Sequence, residues 1–321
     1  MLKNDVKEIL KLINTSDEIC IAGHTAPDGD CIGSVMALYK FLKPLKKNLR
    51  VMIDGTIPFN YKPFADESII AQAYDNEKFD LLFVLDTSDT KRLGKFEDVL
   101  KNSNKRVVID HHKTNTGFGD INIIDPEMSS TGELLYDIMK LTGMEITKEV
   151  AVLLYVAILT DTGKFSYRNT SSRTHIKAAE LIDLGVNVSE IDNLVYNSKP
   201  ANVVKAFLES VSNVEFYYDK KLGITAITKD ILLRNNVDMA DVDGVVEYIR
   251  EIREIEVSCV LKEYDDCTKV SLRSKNDIDV SAISLKYQGG GHAKAAGFEL
   301  KDNIENTKKI ILEEFKDLLK S

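Results

Sequence analysis

Residues 23–34 read GHTAPDGDCIGS. They follow a short apolar run over 19–22 and precede an apolar helical pattern over 31–41 that stops near Pro44. Strand, polar loop and helix therefore succeed one another, and the loop holds His24, Asp28 and Asp30. Before this stretch, Val6, Ile9, Leu10 and Ile13 follow the spacing of an amphipathic helix. After it, apolar runs recur over 49–53, over 81–85 (ending at Asp86) and over 107–109 (ending at Asp110). Helical patterns cover 129–141, 147–159 and 171–184, with Gly143 and Gly185 just beyond two of their ends. Short apolar runs separated by helices predict an α/β fold, a mostly parallel sheet with helices on both faces.

The pattern changes after residue 186. The stretch 187–200 is polar, and we place a linker over 187–205 between an N-terminal domain, 1–186, and a smaller α+β domain, 206–321. In the second domain, Asp219-Lys220-Lys221 and Asp265-Asp266 separate strand-like runs and read as two hairpins. A helix over 280–287 leads into Gly289-Gly290-Gly291-His292, and a closing helix is expected over 304–319.

Composition narrows the function. The chain has 321 residues, 44% hydrophobic and 29% charged, with a net charge of −9. Coating long nucleic acid would call for a basic surface, so long-DNA binding is not expected. No apolar run approaches the roughly 20 residues of a membrane helix. The N-terminal segment mixes Lys with Asp and Glu, unlike a secretory signal. The four cysteines form no C-x-x-C pair, so a reducing cytoplasm with free thiols is expected and a thiolate zinc site is not.

Asp86 lies in FVLDTSD, Asp110, His111 and His112 in VVIDHHKTN, and Asp161 in LTDTGKFSY. Alone, each reads as a turn or a strand end. Together, Asp28, Asp30, Asp86 and Asp161 can converge where the sheet's loops meet. Two like charges about 4 Å apart repel by about 4 kcal/mol at an effective dielectric near 20, so four such groups call for cations. Two divalent ions would balance them. Oxygen and imidazole donors suit Mn²⁺, and paired metals are the usual apparatus for attack on phosphorus. Gly289, Gly290 and Gly291 can aim N–H groups at an anion, with His292 and Lys294 as further donors and Arg273, in VSLRSK, as a guanidinium fork.

Taken in order, these motifs resemble the DHH phosphoesterase superfamily over nearly the whole chain. VSLRSK followed by QGGGHAKAAGF resembles the DHH-associated substrate-binding domain, and the compact NrnA-like branch fits best. The resemblance implies that His24, Asp28 and Asp86 hold one Mn²⁺. Asp30, Asp86, His111 and Asp161 would hold the other, with Asp86 shared. Asp110 would orient a histidine, and His112 would face the substrate phosphate, so Asp86, Asp110 and His112 form the catalytic set. Arg273, Gly289, Gly290, Gly291, His292 and Lys294 would bind the phosphate and nucleotide. The implied activity is a two-metal phosphodiesterase and phosphatase acting on very short RNA, linear dinucleotides and 3′-phosphoadenosine 5′-phosphate (pAp). The alternative is a cyclic-dinucleotide phosphodiesterase, then a pyrophosphatase (against which GGGH argues) or a non-catalytic RNA-binding protein. A homodimer is the oligomer considered.

Overall fold

The apolar runs of the N-terminal half pair side by side, all in parallel. The structure, a computed structural model, describes residues 2–45 and 48–319. The outer bounds 1 and 321 of the two expected domains lie outside the described residues. The chain divides into two units, 1–198 and 199–321.

In the first unit, α1 (Leu2–Thr15) leads to β1 (Glu18–Ala22), α2 (Gly29–Leu42), β2 (Asn48–Met52), β3 (Phe79–Leu85), β4 (Ser103–Asp110) and β5 (Ile121–Ile124). Four helices follow: α3 (Thr131–Thr142), α4 (Lys148–Asp161), α5 (Ser172–Asp183) and α6 (Val188–Tyr196). The strands lie in the order β2-β1-β3-β4-β5 with every pairing parallel. Alternation along each strand separates two cores. Ile19, Ile21, Leu81, Phe83, Leu85, Val107 and Ile109 face the cluster shared with α1 to α4. Cys20, Ala22, Leu82, Val84 and Val108 face the other way, onto Leu93, Phe96 and Val99 of a 3₁₀ segment, Thr90–Leu100. α4 is buried nearly all round, as its unbroken apolar sequence predicts.

Residues 187–205, expected as a linker, are mostly helical. Asn187 caps α6 through its side chain, and Ile191 and Val195 bury the apolar side of that helix in the first unit's core. The division falls between Ser198 and Lys199. A short helix with only two buried positions leaves a largely polar sequence, which reads like a connection.

The second unit runs α7 (Ala201–Ser212), β6 (Glu215–Tyr217), β7 (Leu222–Ile227), α8 (Lys229–Asn235), α9 (Val245–Arg250), β8 (Val257–Glu263), β9 (Thr268–Ser274), α10 (Val280–Lys286), β10 (Gly290–His292), β11 (Ala295–Leu300) and α11 (Ile304–Leu319). Its sheet has the order β10-β11-β9-β8-β7-β6, antiparallel except for β7 with β8. Both hairpins form, β6 with β7 and β8 with β9. One sheet face packs on α10 and α11, the other on α7, α8 and α9.

Candidate active site

In the order β2-β1-β3, successive connections leave β1 in opposite directions, so the loops after β1 and β3 open a crevice at their carboxyl ends. His24 follows β1 and Asp86 follows β3. Asp110 ends β4, with His111 and His112 next, and Asp161 ends α4. The structure gathers these groups. His24 Nε2 lies 3.3 Å from Asp86 Oδ2 and 3.7 Å from Asp28 Oδ1. His111 Nε2 lies 3.8, 3.7 and 3.6 Å from carboxylate oxygens of Asp30, Asp86 and Asp161. Three overlapping groups could each hold a metal ion: His24, Asp28 and Asp86; Asp30, His111 and Asp161; Asp86, His111 and His112.

Local structure fixes each donor. Asp28 caps α2, accepting from the N–H groups of Asp30 and Cys31 at 3.1 and 3.0 Å. Asp30 is buried, and its two oxygens accept from the first N–H groups of α3, Thr131 at 2.7 Å and Gly132 at 2.9 Å, with Ser34 Oγ adding a third bond. Asp86 has φ +54, and its Oδ1 accepts from Thr131 Oγ1 at 3.0 Å. Asp161 is held by Asn169, whose Nδ2 donates to its main-chain oxygen at 3.0 Å and to Ser129 O at 2.9 Å. His24 Nδ1 contacts Thr25 O at 2.7 Å. A carbonyl only accepts, so Nδ1 donates to it and Nε2 is the nitrogen turned toward the carboxylates.

Electrostatics shows what this arrangement demands. Burial, then the charges of Asp86, Asp161 and Asp28, raise Asp30 well above the usual carboxylate range. Burial also pushes Asp161 up to about 7, with Asp28 and Asp86 adding to it against His111. Asp86 goes the other way. Burial opposes its charge, but His24, His112 and His111 hold it below the ordinary range. Left to themselves, Asp30 and Asp161 take up protons to relieve the repulsion. The separations of 3.3–3.8 Å are longer than ordinary charge-assisted hydrogen bonds of about 2.7–2.9 Å. They are close to the polyhedron edges, roughly 3–3.5 Å, that follow from metal–oxygen bonds of about 2.1–2.3 Å. The donor set therefore fits divalent cations. The Cys31 thiol, pushed up by burial, offers no thiolate.

Asp110 is fully buried and accepts His112 Nδ1 at 2.7 Å on one oxygen and Asn115 Nδ2 at 2.7 Å on the other. The histidine it orients is thus the second of the pair. In the second unit, Arg273 on β9, Ala295 on β11 and His292 on β10 share one register row, so Arg273 and His292 stand on one face of the sheet. Arg273 Nε donates to Glu247 Oε1 at 2.8 Å. Gly289 and Gly291 have a packing reason: a Cβ there would lie 2.3 Å from Gly297 O or 2.4 Å from Ala295 O, whereas Gly290 is open. Lys294 lies in the turn between β10 and β11.

The family model for the N-terminal domain of the DHH family matches residues 18–158, and that for the DHHA1 domain matches 221–321. The chain belongs to the DHH family. Over 304 residues it is 33% identical to the bifunctional oligoribonuclease and PAP phosphatase NrnA of Thermus thermophilus, covering 92% of this chain and 87% of that protein. It is 29% identical to the protein of the same name from Bacillus subtilis, covering 90% and 91%. A solved exopolyphosphatase-related protein from Bacteroides fragilis superimposes with a TM-score of 0.90 at 29% identity, covering 99% of this chain and 98% of that one. This DHH-family chain is a hydrolase of the phosphoesterase class. Among the described residues no helix is long and apolar enough to cross a membrane.

Sequence reasoning missed the groups that hold the donors in place: Ser34, Asn115, Thr131, Gly132 and Asn169. Asn115 stood in the quoted VVIDHHKTN, and Thr131 in a recognised helix start. No pattern along the chain said that Asn115 would turn back onto Asp110, or that Thr131 and Gly132 would meet Asp30 and Asp86 across long separations.

Proposed function

We propose that the chain is a manganese-dependent phosphoesterase that hydrolyses short oligoribonucleotides and linear dinucleotides to 5′-mononucleotides and removes the 3′-phosphate of pAp. The observation that carries this reading is the convergence of four aspartates and two imidazoles at the ends of β1, β3, β4 and α4. His24, Asp28 and Asp86 would hold one ion, and Asp30, Asp86, His111 and Asp161 the other. Such a pair supplies Lewis acidity toward phosphoryl oxygens and an activated water. Mn²⁺ is preferred because the donors are carboxylate and imidazole with no thiolate.

The remaining roles belong to side chains. Asp110 holds Nδ1 of His112, which leaves Nε2 to contact the phosphate and hand a proton to the leaving oxygen. We assign catalysis to the first unit, and binding of the phosphate and nucleotide to Arg273, His292, Lys294 and Gly289 to Gly291 of the second. The names of the Thermus thermophilus and Bacillus subtilis relatives support this choice of substrates.

A panel under one condition with Mn²⁺ tests the reading: pAp, the linear dinucleotide pApA, cyclic di-AMP and pyrophosphate. Turnover of pAp and pApA is expected, with cyclic di-AMP and pyrophosphate at least about 100-fold slower in kcat/KM. Preferential cleavage of the cyclic dinucleotide or of pyrophosphate would contradict it. Asp86→Ala and His111→Ala should each lower kcat by at least about 100-fold, and near-normal rates would remove them from the site.

A further inference from the structure

Two divalent ions would balance the four aspartates, so the loaded centre has little charge left with which to hold an anion. A substrate phosphate needs donors of its own. Those assigned above lie in the second unit, and Arg273 already grips Glu247. The first unit has another candidate in the loop after β3. Arg92 is half-buried, and among the described residues its guanidinium has neither an ion pair nor a hydrogen bond. Arg50, Arg106, Arg234 and Arg273 each hold a carboxylate.

The Arg92 backbone is pinned to the wall of the site. Thr25 N donates to Arg92 O at 2.7 Å, and Thr25 O is the group that fixes the His24 ring. Beyond it, Gly94 has φ +57, and a Cβ there would lie 2.5 Å from Thr25 Cγ2. Lys95 N donates to Asp54 Oδ2 at 3.1 Å, while Ala26 N donates to Asp54 O at 3.2 Å. The loops after β1, β2 and β3 are therefore tied together, with Arg92 among them.

We propose that Arg92 is a substrate-binding residue of the first unit, its guanidinium gripping the phosphate that His112 faces. This deepens, and rests on, the phosphoesterase reading above. Because the residue is held by its main chain, replacing its side chain leaves the loop's hydrogen bonds intact.

Full-length Arg92→Gln and Arg92→Lys, loaded with Mn²⁺, are compared with the unmodified chain in two ways. Calorimetric titration with inorganic phosphate reads binding without turnover, and kcat/KM on pApA reads function. Arg92→Gln should weaken phosphate binding and lower kcat/KM by about 10- to 100-fold. Arg92→Lys should recover part of both, since a point charge lacks the planar fork. Mn²⁺ titration and the thermal midpoint should match the unmodified chain in both variants. Three results would overturn the assignment: unchanged phosphate affinity in Arg92→Gln, loss of Mn²⁺ together with phosphate, or no phosphate binding by the unmodified chain. Phosphate binding that depends on Arg92 without hydrolysis of any nucleotide would instead sink the substrate reading and leave the anion site standing.

Discussion

Asp86 is the residue on which the site turns. It is buried, sits in left-handed backbone conformation, and lies within 4 Å of ring nitrogens of three histidines. Aspartate tolerates that conformation better than most residues, and here it directs the carboxylate into the crevice rather than along the strand. Asp110 has a quieter task. Asp110→Asn keeps the shape but loses the charge that orients His112, and should lower kcat on pApA by about 10- to 100-fold with Mn²⁺ affinity little changed. An unaltered kcat would show that His112 needs no such partner.

Glu133 gives a pH prediction away from the donors. Its Oε2 accepts from Ser129 N and Thr174 Oγ1, and Lys177 lies 3.2 Å from Oε1. Burial opposes the charge, but Ser129 and Lys177 outweigh it and depress the carboxyl below its usual value. A depressed carboxyl stabilises the fold above its unfolded value, near 4.5, and that stability is lost as pH falls through the folded value. Glu133→Gln should therefore cost about 1–3 kcal/mol at pH 7, with the gap to the unmodified chain closing below about pH 4.5. Urea unfolding across that range measures it, and a gap independent of pH would contradict the sign.

At the scale of elements, small residues set how closely α2 and α4 approach. A Cβ on Gly33 would lie 2.6 Å from Leu153 O and 2.9 Å from Ala157 Cβ. Gly33→Ala should push the helices apart, separating Asp30 near the start of α2 from Asp161 at the end of α4. The expected cost is about 1–3 kcal/mol in stability, together with weaker Mn²⁺ binding. Thermal unfolding and a Mn²⁺ titration report the two effects, and an unchanged titration would dissociate the packing from the site. The strands after which the donors stand were legible because buried parallel strands read as continuous apolar runs. β5 escaped because two of its four residues, Asn122 and Ile124, are not buried. The donors themselves were legible as clustered Asp and His. Thr131 and Asn169 were not, since a helix N-terminus and an amide become supports only when the fold delivers a carboxylate to them.

The whole molecule has two sets of cores, one per unit. All of the candidate metal donors lie in the first unit, and the GGGH segment lies in the second. A chain ending at Ser198 should keep Mn²⁺ binding while losing at least about 100-fold in kcat/KM on pApA, because the groups proposed to bind the phosphate go with the second unit. Loss of Mn²⁺ binding in that truncation would mean that the donor set is not complete in the first unit.

The central claim is that the crowded aspartates exist to hold a pair of divalent cations. Electron paramagnetic resonance titration of Mn²⁺ into the full-length chain tests this most directly. The account predicts two bound ions per chain, magnetically coupled through their closeness, and loss of at least one ion and of the coupling in Asp86→Asn. A chain that binds no Mn²⁺, or one whose stoichiometry and spectrum are untouched by Asp86→Asn, would contradict it.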